Sequence, residues 1–363
     1  MQHIAFRVDS SAQIGIGHFM RCLTLADALS RYDAKVCFVS RHLSEHLCSI
    51  LLLRGYEHVT LTSVPDEASL GNLTHAHWLG VSQESDASAC IVALSGQDWD
   101  WLIVDHYALD SIWENMLKPY VSKLMVIDDL ADRSHSCDVL LDQTFGREQT
   151  EYQERVPSTC QLLCGSRYAL LRPEFPALRE YSLMRRESPV LKNLLITMGG
   201  VDKDNATGKV LTALASCDVL PAGFQSTIVM GSLAPCLSQV KQLAKRVPWS
   251  CSVLVNVSNM AQLMADCDFA IGAAGATSWE RCCLGLPTLI LTLADNQKLI
   301  ASKLQEDGAV IAVDFWSANF NAQLSESISA VDTPAVMQRM SQKSSAICDG
   351  VGVNRVLEVI DGR

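Results

Sequence analysis

NMAQLMADCDFAIGAAGATSWERCCLGLPTLILTLADNQ, residues 259 to 297, reads as helix, strand, glycine loop, helix, strand and polar turn in succession. A short helix-period segment leads into the apolar run DFAIG from Asp268. Gly272 and Gly275 then open a tight loop, Thr277 or Ser278 starts a second helix, and Gly285 with Pro287 stops it. Two apolar runs joined by a helix form the repeating unit of a parallel sheet. Free backbone N–H groups at such a loop can bind a diphosphate. Glu280 lies three residues after Thr277, which is the spacing of a capping box; in a nucleotide site the same carboxylate would instead accept both ribose hydroxyls.

The same alternation continues in both directions. Upstream in the second half lie NLLITMGG from Asn193, STIVMG from Ser226 and CSVLV from Cys251; in the first half lie IAFRV from Ile4, KVCFVS from Lys35, DWLIVD from Asp100 and KLMVIDD from Lys123. Between the halves, PEFPALREYSLMRRESP (Pro173 to Pro189) carries three prolines and many charges and reads as a connector. At 363 residues the chain exceeds the usual size of a single core. The expected fold class is therefore α/β, with two doubly wound Rossmann-like domains facing a cleft. The expected boundaries are 1–180 for the first domain and 190–340 for the second, with a C-terminal helix in 341–363 packing back on the first. Ligands of such sheets bind beyond the carboxyl ends of the strands, which directs attention to Asp9, Asp105, Asp128, Gly199 and Gly272.

Composition narrows the function classes. A net charge of −11 repels nucleic acid and anionic membranes, and no Lys/Arg block overturns it. The longest clean apolar run, LPTLILTLA from Leu286, is about half of a membrane span, and the N-terminus lacks the pattern of a leader, so a cytoplasmic chain is expected. The fourteen cysteines are scattered without a C-x-x-C pair and read as reduced thiols packed as small hydrophobes, Cys160, Cys164, Cys282 and Cys283 among them. No metal and no cofactor is expected.

A second stretch, QIGIGHFMRC (Gln13 to Cys22), follows the first apolar run. It departs from a dinucleotide fingerprint, because with Gly15 and Gly17 as the first two glycines the third position is Met20. His18 falls in the first turn of the expected helix, where the positive dipole end disfavours imidazolium and leaves a neutral base near pH 7. The alternative is a helix-end histidine bonded to a loop carbonyl. Arg21 lies on roughly the same helical face and would meet a phosphate or pair with Asp9. All nine histidines lie at or before position 135, so imidazole chemistry belongs to the first domain. His42 with His46, and His75 with His77, lack carboxylate or cysteine partners in sequence and read as surface histidines. Asp128 and Asp129 read equally as an acid/base partner, a Mg²⁺ ligand or a helix cap.

The helix, strand, glycine loop, Glu280 and GLP series, ending in the D-N-Q turn, resembles the donor half of GT-B sugar-nucleotide enzymes, including the glycosyltransferase of peptidoglycan lipid II synthesis. With RVDSSAQIGIGHFMRCLTLADAL, IVDHY, IDDLADR, CDVLLDQ, CGSRYALLRPEF and TMGGVDKDN in that order, the chain from about residue 3 to 300 resembles the PseG family. These are the UDP-2,4-diacetamido-2,4,6-trideoxy-β-L-altropyranose hydrolases of pseudaminic acid synthesis. The resemblance implies metal-free attack of water at the anomeric carbon, with His18 of the G-x-G-H motif as general base beside Gly17. It implies that Tyr107 of DHY contacts the sugar, that Gly275, Thr277 and Ser278 form the diphosphate loop, and that Glu280 takes the ribose. Asn296, with Gln297, would help to hold the substrate. The serine-rich loop of some members is here GAAGATSW. Inversion at C1 and a monomer acting on a small UDP-sugar, without nucleic acid or membrane, are the corresponding expectations. The alternatives are a GT-B glycosyltransferase using a UDP-sugar donor, a hydrolase of another UDP-sugar and a UDP-sugar sensor.

Overall fold

The computed structural model describes residues 1–11, 13–62, 71–217 and 220–362; the side chain of Asn296 also lies outside the described part. The chain forms two compact units, Met1–Leu170 with Gly352–Arg363, and Leu171–Val351.

In the first unit the elements follow as β1 (His3–Val8), α1 (Gly17–Ser30), β2 (Lys35–Ser40), α2 (Glu45–Leu53), β3 (Glu57–Thr60), α3 (Gln83–Leu94), β4 (Trp99–Asp105), α4 (Ser111–Leu117), β5 (Val121–Ile127), β6 (Val139–Asp142) and β7 (Gln161–Cys164). The strands make one parallel sheet in the order β3-β2-β1-β4-β5-β6-β7. Alternate residues of β1 feed two cores: Ile4, Phe6 and Val8 on one face, Ala5 on the other. Burial on both faces explains why the strand sequences are continuous apolar runs. The order reverses between β1 and β4, so the chain leaving these two strands diverges and opens a crevice at their carboxyl ends.

The second unit contains α5 (Glu174–Arg185), β8 (Asn193–Thr197), α6 (Ala206–Ala215), β9 (Gln225–Met230), α7 (Leu237–Ala244), β10 (Ser250–Val255), α8 (Met260–Asp266), β11 (Phe269–Ala273), α9 (Thr277–Cys283), β12 (Thr288–Thr292), α10 (Lys298–Glu306), β13 (Val310–Asp314), α11 (Phe320–Val331) and α12 (Pro334–Ile347). Its parallel sheet runs β10-β9-β8-β11-β12-β13 and reverses between β8 and β11. The last helix, α13 (Gly352–Ile360), belongs to the first unit, where Val356, Leu357 and Ile360 join the core of Phe6 and Phe38. Gly352 must be glycine, because a Cβ there would stand 2.4 Å from the Ala169 carbonyl oxygen.

The expected connector is largely a helix. Pro173 is the N-cap of α5 and Pro176 lies in its first turn, where a missing N–H breaks no intrahelical bond. Arginines of this helix and of its C-cap hold the second unit together. Arg186 is buried and donates to the Met264 and Cys267 carbonyls at 3.0 Å, closing the end of α8, while Arg179 donates to the Cys283, Ser345 and Cys348 carbonyls. No helix among the described residues is long and apolar enough to cross a membrane.

Candidate active site

The crevice of the first unit holds a network of charged side chains. Gly15 has φ +79°, a conformation that favours glycine, and brings the chain from β1 into α1. Gly17 begins that helix with an ordinary φ, and a Cβ there would meet nothing within 4 Å, so the protein itself does not require the bare backbone. His18 follows, on the first turn, with its side chain 11% exposed. Its Nδ1 lies 2.6 Å from Asp105 Oδ1, at the carboxyl end of β4.

Asp105 is enclosed and also receives Arg21 Nε at 2.6 Å and Nη2 at 2.7 Å. Burial alone would raise its pKa, but the Arg21 guanidinium and then His18 hold the carboxyl well below the usual range. An ionised carboxylate 2.6 Å from a ring nitrogen requires a proton on that nitrogen, because two facing lone pairs would repel. Nδ1 therefore carries the hydrogen and donates it to Asp105, and the 3.2 Å approach of Arg21 Nη2 to Nδ1 is a contact between two donors. In the neutral ring Nε2 is then the acceptor, and it has no protein partner among the described residues.

The network extends through Asp129. Its carboxylate accepts Arg21 Nη1 at 2.8 Å and the Tyr107 hydroxyl. Burial and then the Asp129 charge push the Tyr107 phenol well above its ordinary value, so it stays neutral. Tyr107 meets His18 edge to face at 4.6 Å. Arg21 thus pairs with Asp105 and Asp129 and not with Asp9. Asp9 is consumed by scaffold: it binds Arg7 at 2.8 Å and caps the amides of Arg41 at 2.7 Å and His42 at 3.1 Å. Asp128 is equally internal, bound by Arg133, the Ala131 amide and the Tyr152 hydroxyl. His75 is half-buried among aromatic rings, contrary to the surface reading, while His77 and His46 are exposed. Among the described residues no group of three His, Cys, Asp or Glu side chains is placed to hold a metal.

In the second unit, β11 ends at Ala273 and the loop reaches α9 through Ala274, Gly275 and Ala276. The amide of Gly275 is already engaged, at 3.3 Å, by the Ser278 hydroxyl. The Ala276 and Thr277 amides have no partner among the described residues. Ala276, not Thr277, is the N-cap residue, and no side chain caps the helix, so the capping-box reading of Glu280 fails. Thr277 Oγ1 instead accepts Arg281 Nη1 at 3.2 Å. Among the described residues the one ion pair of Glu280 is with Arg172, at 3.9 Å, and burial raises its carboxyl to about 7. The turn Asp295–Gln297 follows the neighbouring strand β12, and Gln297 Oε1 accepts the Leu293 amide at 2.9 Å, which commits that side chain to its own turn.

Arg281 gave no signal in the sequence. It is 1% exposed and lies beneath the loop, donating to Ala273 O at 2.8 Å and Ser278 Oγ at 3.1 Å. Burial draws its guanidinium down to about 10. It explains Gly272, since a Cβ there would stand 2.6 Å from Arg281 Nη1.

No protein-family model matches the chain. It is 26% identical over 306 residues to the UDP-2,4-diacetamido-2,4,6-trideoxy-beta-L-altropyranose hydrolase of Campylobacter jejuni, covering 84% of this chain and 97% of that protein. The resemblance read from the motifs is supported along most of the chain. A further relative is the spore coat polysaccharide biosynthesis protein SpsG of Bacillus subtilis, 22% identical over 365 residues, with 99% and 97% coverage. An uncharacterized protein of Methanocaldococcus jannaschii, MJ1062, is 26% identical over 300 residues; the match takes in 81% of this chain and 56% of that longer protein. Among solved structures, MurG of Acinetobacter baumannii superposes with TM-score 0.67 at 14% identity, over 100% of both chains. The UDP-GlcNAc 2-epimerase of Neisseria meningitidis, bound to UDP-GlcNAc, gives 0.66 at 14%, again over 100% of both. These likenesses show the fold, two Rossmann-like units of the GT-B type.

Proposed function

We propose that this chain is a nucleotide-sugar hydrolase, releasing UDP and free sugar from UDP-2,4-diacetamido-2,4,6-trideoxy-β-L-altropyranose by attack of water at C1 with inversion. The observation that carries the reading is the 2.6 Å bond from His18 Nδ1 to Asp105, which makes Nε2 the accepting nitrogen of the neutral ring. The similarity to the Campylobacter hydrolase supplies the substrate.

In the reaction, water bound to Nε2 forms the new C1–O bond as its proton passes to the imidazole. The bond from C1 to the diphosphate breaks, and its electron pair leaves with UDP. Asp105 keeps the reactive tautomer and faces the imidazolium that forms. The second unit holds the nucleotide: Glu280 accepts the ribose hydroxyls, the Ala276 and Thr277 amides face the diphosphate, and buried Arg281 sets the loop. Gly275, Ser278, Asn296 and Gln297 belong to this half of the proposal. UDP is a good leaving group, so positioning and electrostatics suffice.

The test is incubation with the nucleotide sugar in water, with UDP and free sugar followed by mass spectrometry. His18→Ala should lower kcat about 10²- to 10⁴-fold, the usual worth of a general base, while UDP affinity stays unchanged. Full activity in that variant would end the assignment. The GT-B fold is shared with glycosyltransferases, among them the calicheamicin enzyme CalG4 (TM-score 0.67, 14% identity). Release of free sugar without any acceptor separates the hydrolase from that alternative.

A further inference from the structure

All fourteen cysteines are free thiols, and among them Cys137 and Cys160 stand in contact, with their Sγ atoms 3.6 Å apart. Cys137 precedes β6 and Cys160 precedes β7, the edge strand of the first sheet. The pairing of Val139 with Gln161 is continued backwards by the Gln161 amide, which donates to the Asp138 carbonyl at 2.9 Å. The two cysteines therefore sit on neighbouring chains, and parallel neighbours about 4.8 Å apart fall inside the Cα separation of roughly 4.4–6.8 Å that a disulfide spans. Their surroundings differ. Cys137 is 2% exposed, within the core of Leu140 and Tyr152, whereas Cys160 is half-buried. Donation from the Cys137 thiol to the Cys160 sulfur favours the Cys160 thiolate and draws that thiol below its ordinary value; the same bond, with burial, holds Cys137 well above its own. An accessible sulfur that ionises, backed by a buried one that keeps its proton, is the arrangement of an attacking and a resolving cysteine.

We propose that Cys137 and Cys160 are a modification site for hydroperoxides, closing to a disulfide that staples the edge strand to its neighbour. The Cys160 thiolate attacks one oxygen of the hydroperoxide: an S–O bond forms, the O–O bond breaks, and its electron pair leaves on the other oxygen, which takes a proton from water. Sulfur loses two electrons and the peroxide gains them. Cys137 then gives up its proton and attacks the Cys160 sulfur; the S–S bond forms as the S–O bond breaks, and the departing hydroxide takes up a proton as water. Two thiols and one ROOH thus yield one disulfide, one ROH and one water. The other nearby thiols do not meet both conditions. Cys164 lies further along the same chain, about 13 Å away in an extended strand. Cys283 and Cys348 also share a hydrogen bond, but at 0% and 1% exposure they are closed to an oxidant. Closing residues 137 to 160 into a loop removes freedom from the unfolded chain and secures β7, a strand of four residues at the edge.

The full chain, first reduced, is treated with hydrogen peroxide, blocked with iodoacetamide and mapped by peptide mass spectrometry, beside Cys137→Ser and Cys160→Ser. Wild type should give the intramolecular cross-link between Cys137 and Cys160, reversed by dithiothreitol, while Cys283 and Cys348 stay reduced. Its melting temperature should rise by about 5–10 °C on oxidation, the worth of such a cross-link in a unit of this size, and Cys160→Ser should show no rise. In Cys137→Ser the attacking sulfur has no resolving partner, so Cys160 should accumulate as a sulfenic acid that dimedone captures. Both thiols left reduced in wild type, a cross-link from Cys160 to any other cysteine or to a second chain, or an oxidised form that melts no higher than the reduced one would overturn the proposal. If a serine variant fails to fold, the wild-type map and melt decide alone. None of these readouts involves nucleotide-sugar turnover, so the outcome is independent of the proposed activity.

Discussion

Replacing Asp105 by asparagine tests the catalytic geometry most directly. The carboxylate accepts His18 Nδ1 through Oδ1 and Arg21 Nε through Oδ2, both at 2.6 Å, with Arg21 Nη2 at 2.7 Å. An amide has one accepting oxygen and one donating nitrogen, so one of these partners must face a donor. If the oxygen stays with His18, the amide N–H₂ is pressed against the buried Arg21 Nε–H. If it stays with Arg21, the N–H₂ faces Nδ1, which must accept and send its proton to Nε2. The second arrangement costs less, because Arg21 Nη2, which then meets the N–H₂ in place of Oδ1 at 2.7 Å, can donate instead to the now accepting Nδ1 at 3.2 Å, so that Arg21 loses only part of a charged hydrogen bond, about 1.5–3 kcal/mol. It also destroys the base. The expected result is a protein that folds with a modestly lowered melting temperature and a kcat reduced by about 10²- to 10⁴-fold, or about 2.7–5.4 kcal/mol in barrier, with KM little changed. The assay is UDP release under saturating substrate, paired with a thermal melt. A folded variant with kcat within about threefold of wild type would refute the tautomer argument.

Glu280 gives a pH signature. Its carboxyl is raised to about 7 by burial, and ribose hydroxyls bind the ionised form better, so UDP-glucose affinity should rise about three- to fourfold between pH 6 and pH 8, most of the difference of about 1 kcal/mol between charged and neutral hydrogen bonds; calorimetry on Glu280→Gln should show that rise lost. For stability the sign is opposite. A carboxyl with a raised folded pKa contributes stability that is complete below its unfolded value and lost as pH climbs through about 7, so ligand-free wild type should lose stability to alkali that Glu280→Gln keeps. Gly272→Ala places a Cβ 2.6 Å from Arg281 Nη1 and 3.0 Å from the Thr197 carbonyl oxygen. It should cost about 1–3 kcal/mol in a denaturant melt and weaken UDP binding by displacing the arginine under the loop; unchanged stability and affinity together would reject that role for Arg281.

The fold was legible wherever strands are buried on both faces. All nine apolar runs became strands, with ends within a few residues. Four strands carried too little signal: β3 (EHVT) is a short, partly exposed edge strand, β6 (VLLD) and β7 (QLLC) have four residues each, and β13 (VIAVD) opens a stretch that read as generic tail. The connector was misread because prolines at the start of a helix and prolines in a linker look alike in sequence.

The site was legible only as a set of equivalents. Four strands of the first sheet end in a buried aspartate: Asp9 after β1, Asp105 at the end of β4, Asp128 after β5 and Asp142 at the end of β6. Each is paired with an arginine: Arg7, Arg21, Arg133 and Arg147 respectively. An ionised carboxylate in such a place needs that partner, since burial unpaired would cost several kcal/mol. Position and residue type are therefore the same for all four, and no pattern in the sequence separates them. Asp9 and Asp128 spend their remaining oxygen capacity on amides and buried rings of the scaffold, and Asp142, raised to about 6 by burial and by Asp129, on the Thr144 amide and the Tyr152 hydroxyl. Asp105 alone among the four spends it on a histidine that still shows a free nitrogen at the surface. That difference is made by the β1–β4 pairing, which brings residues 87 positions apart in sequence to the same end of the sheet. Removing an arginine from any of the other three pairs should accordingly change stability and leave the pH dependence of turnover where it was.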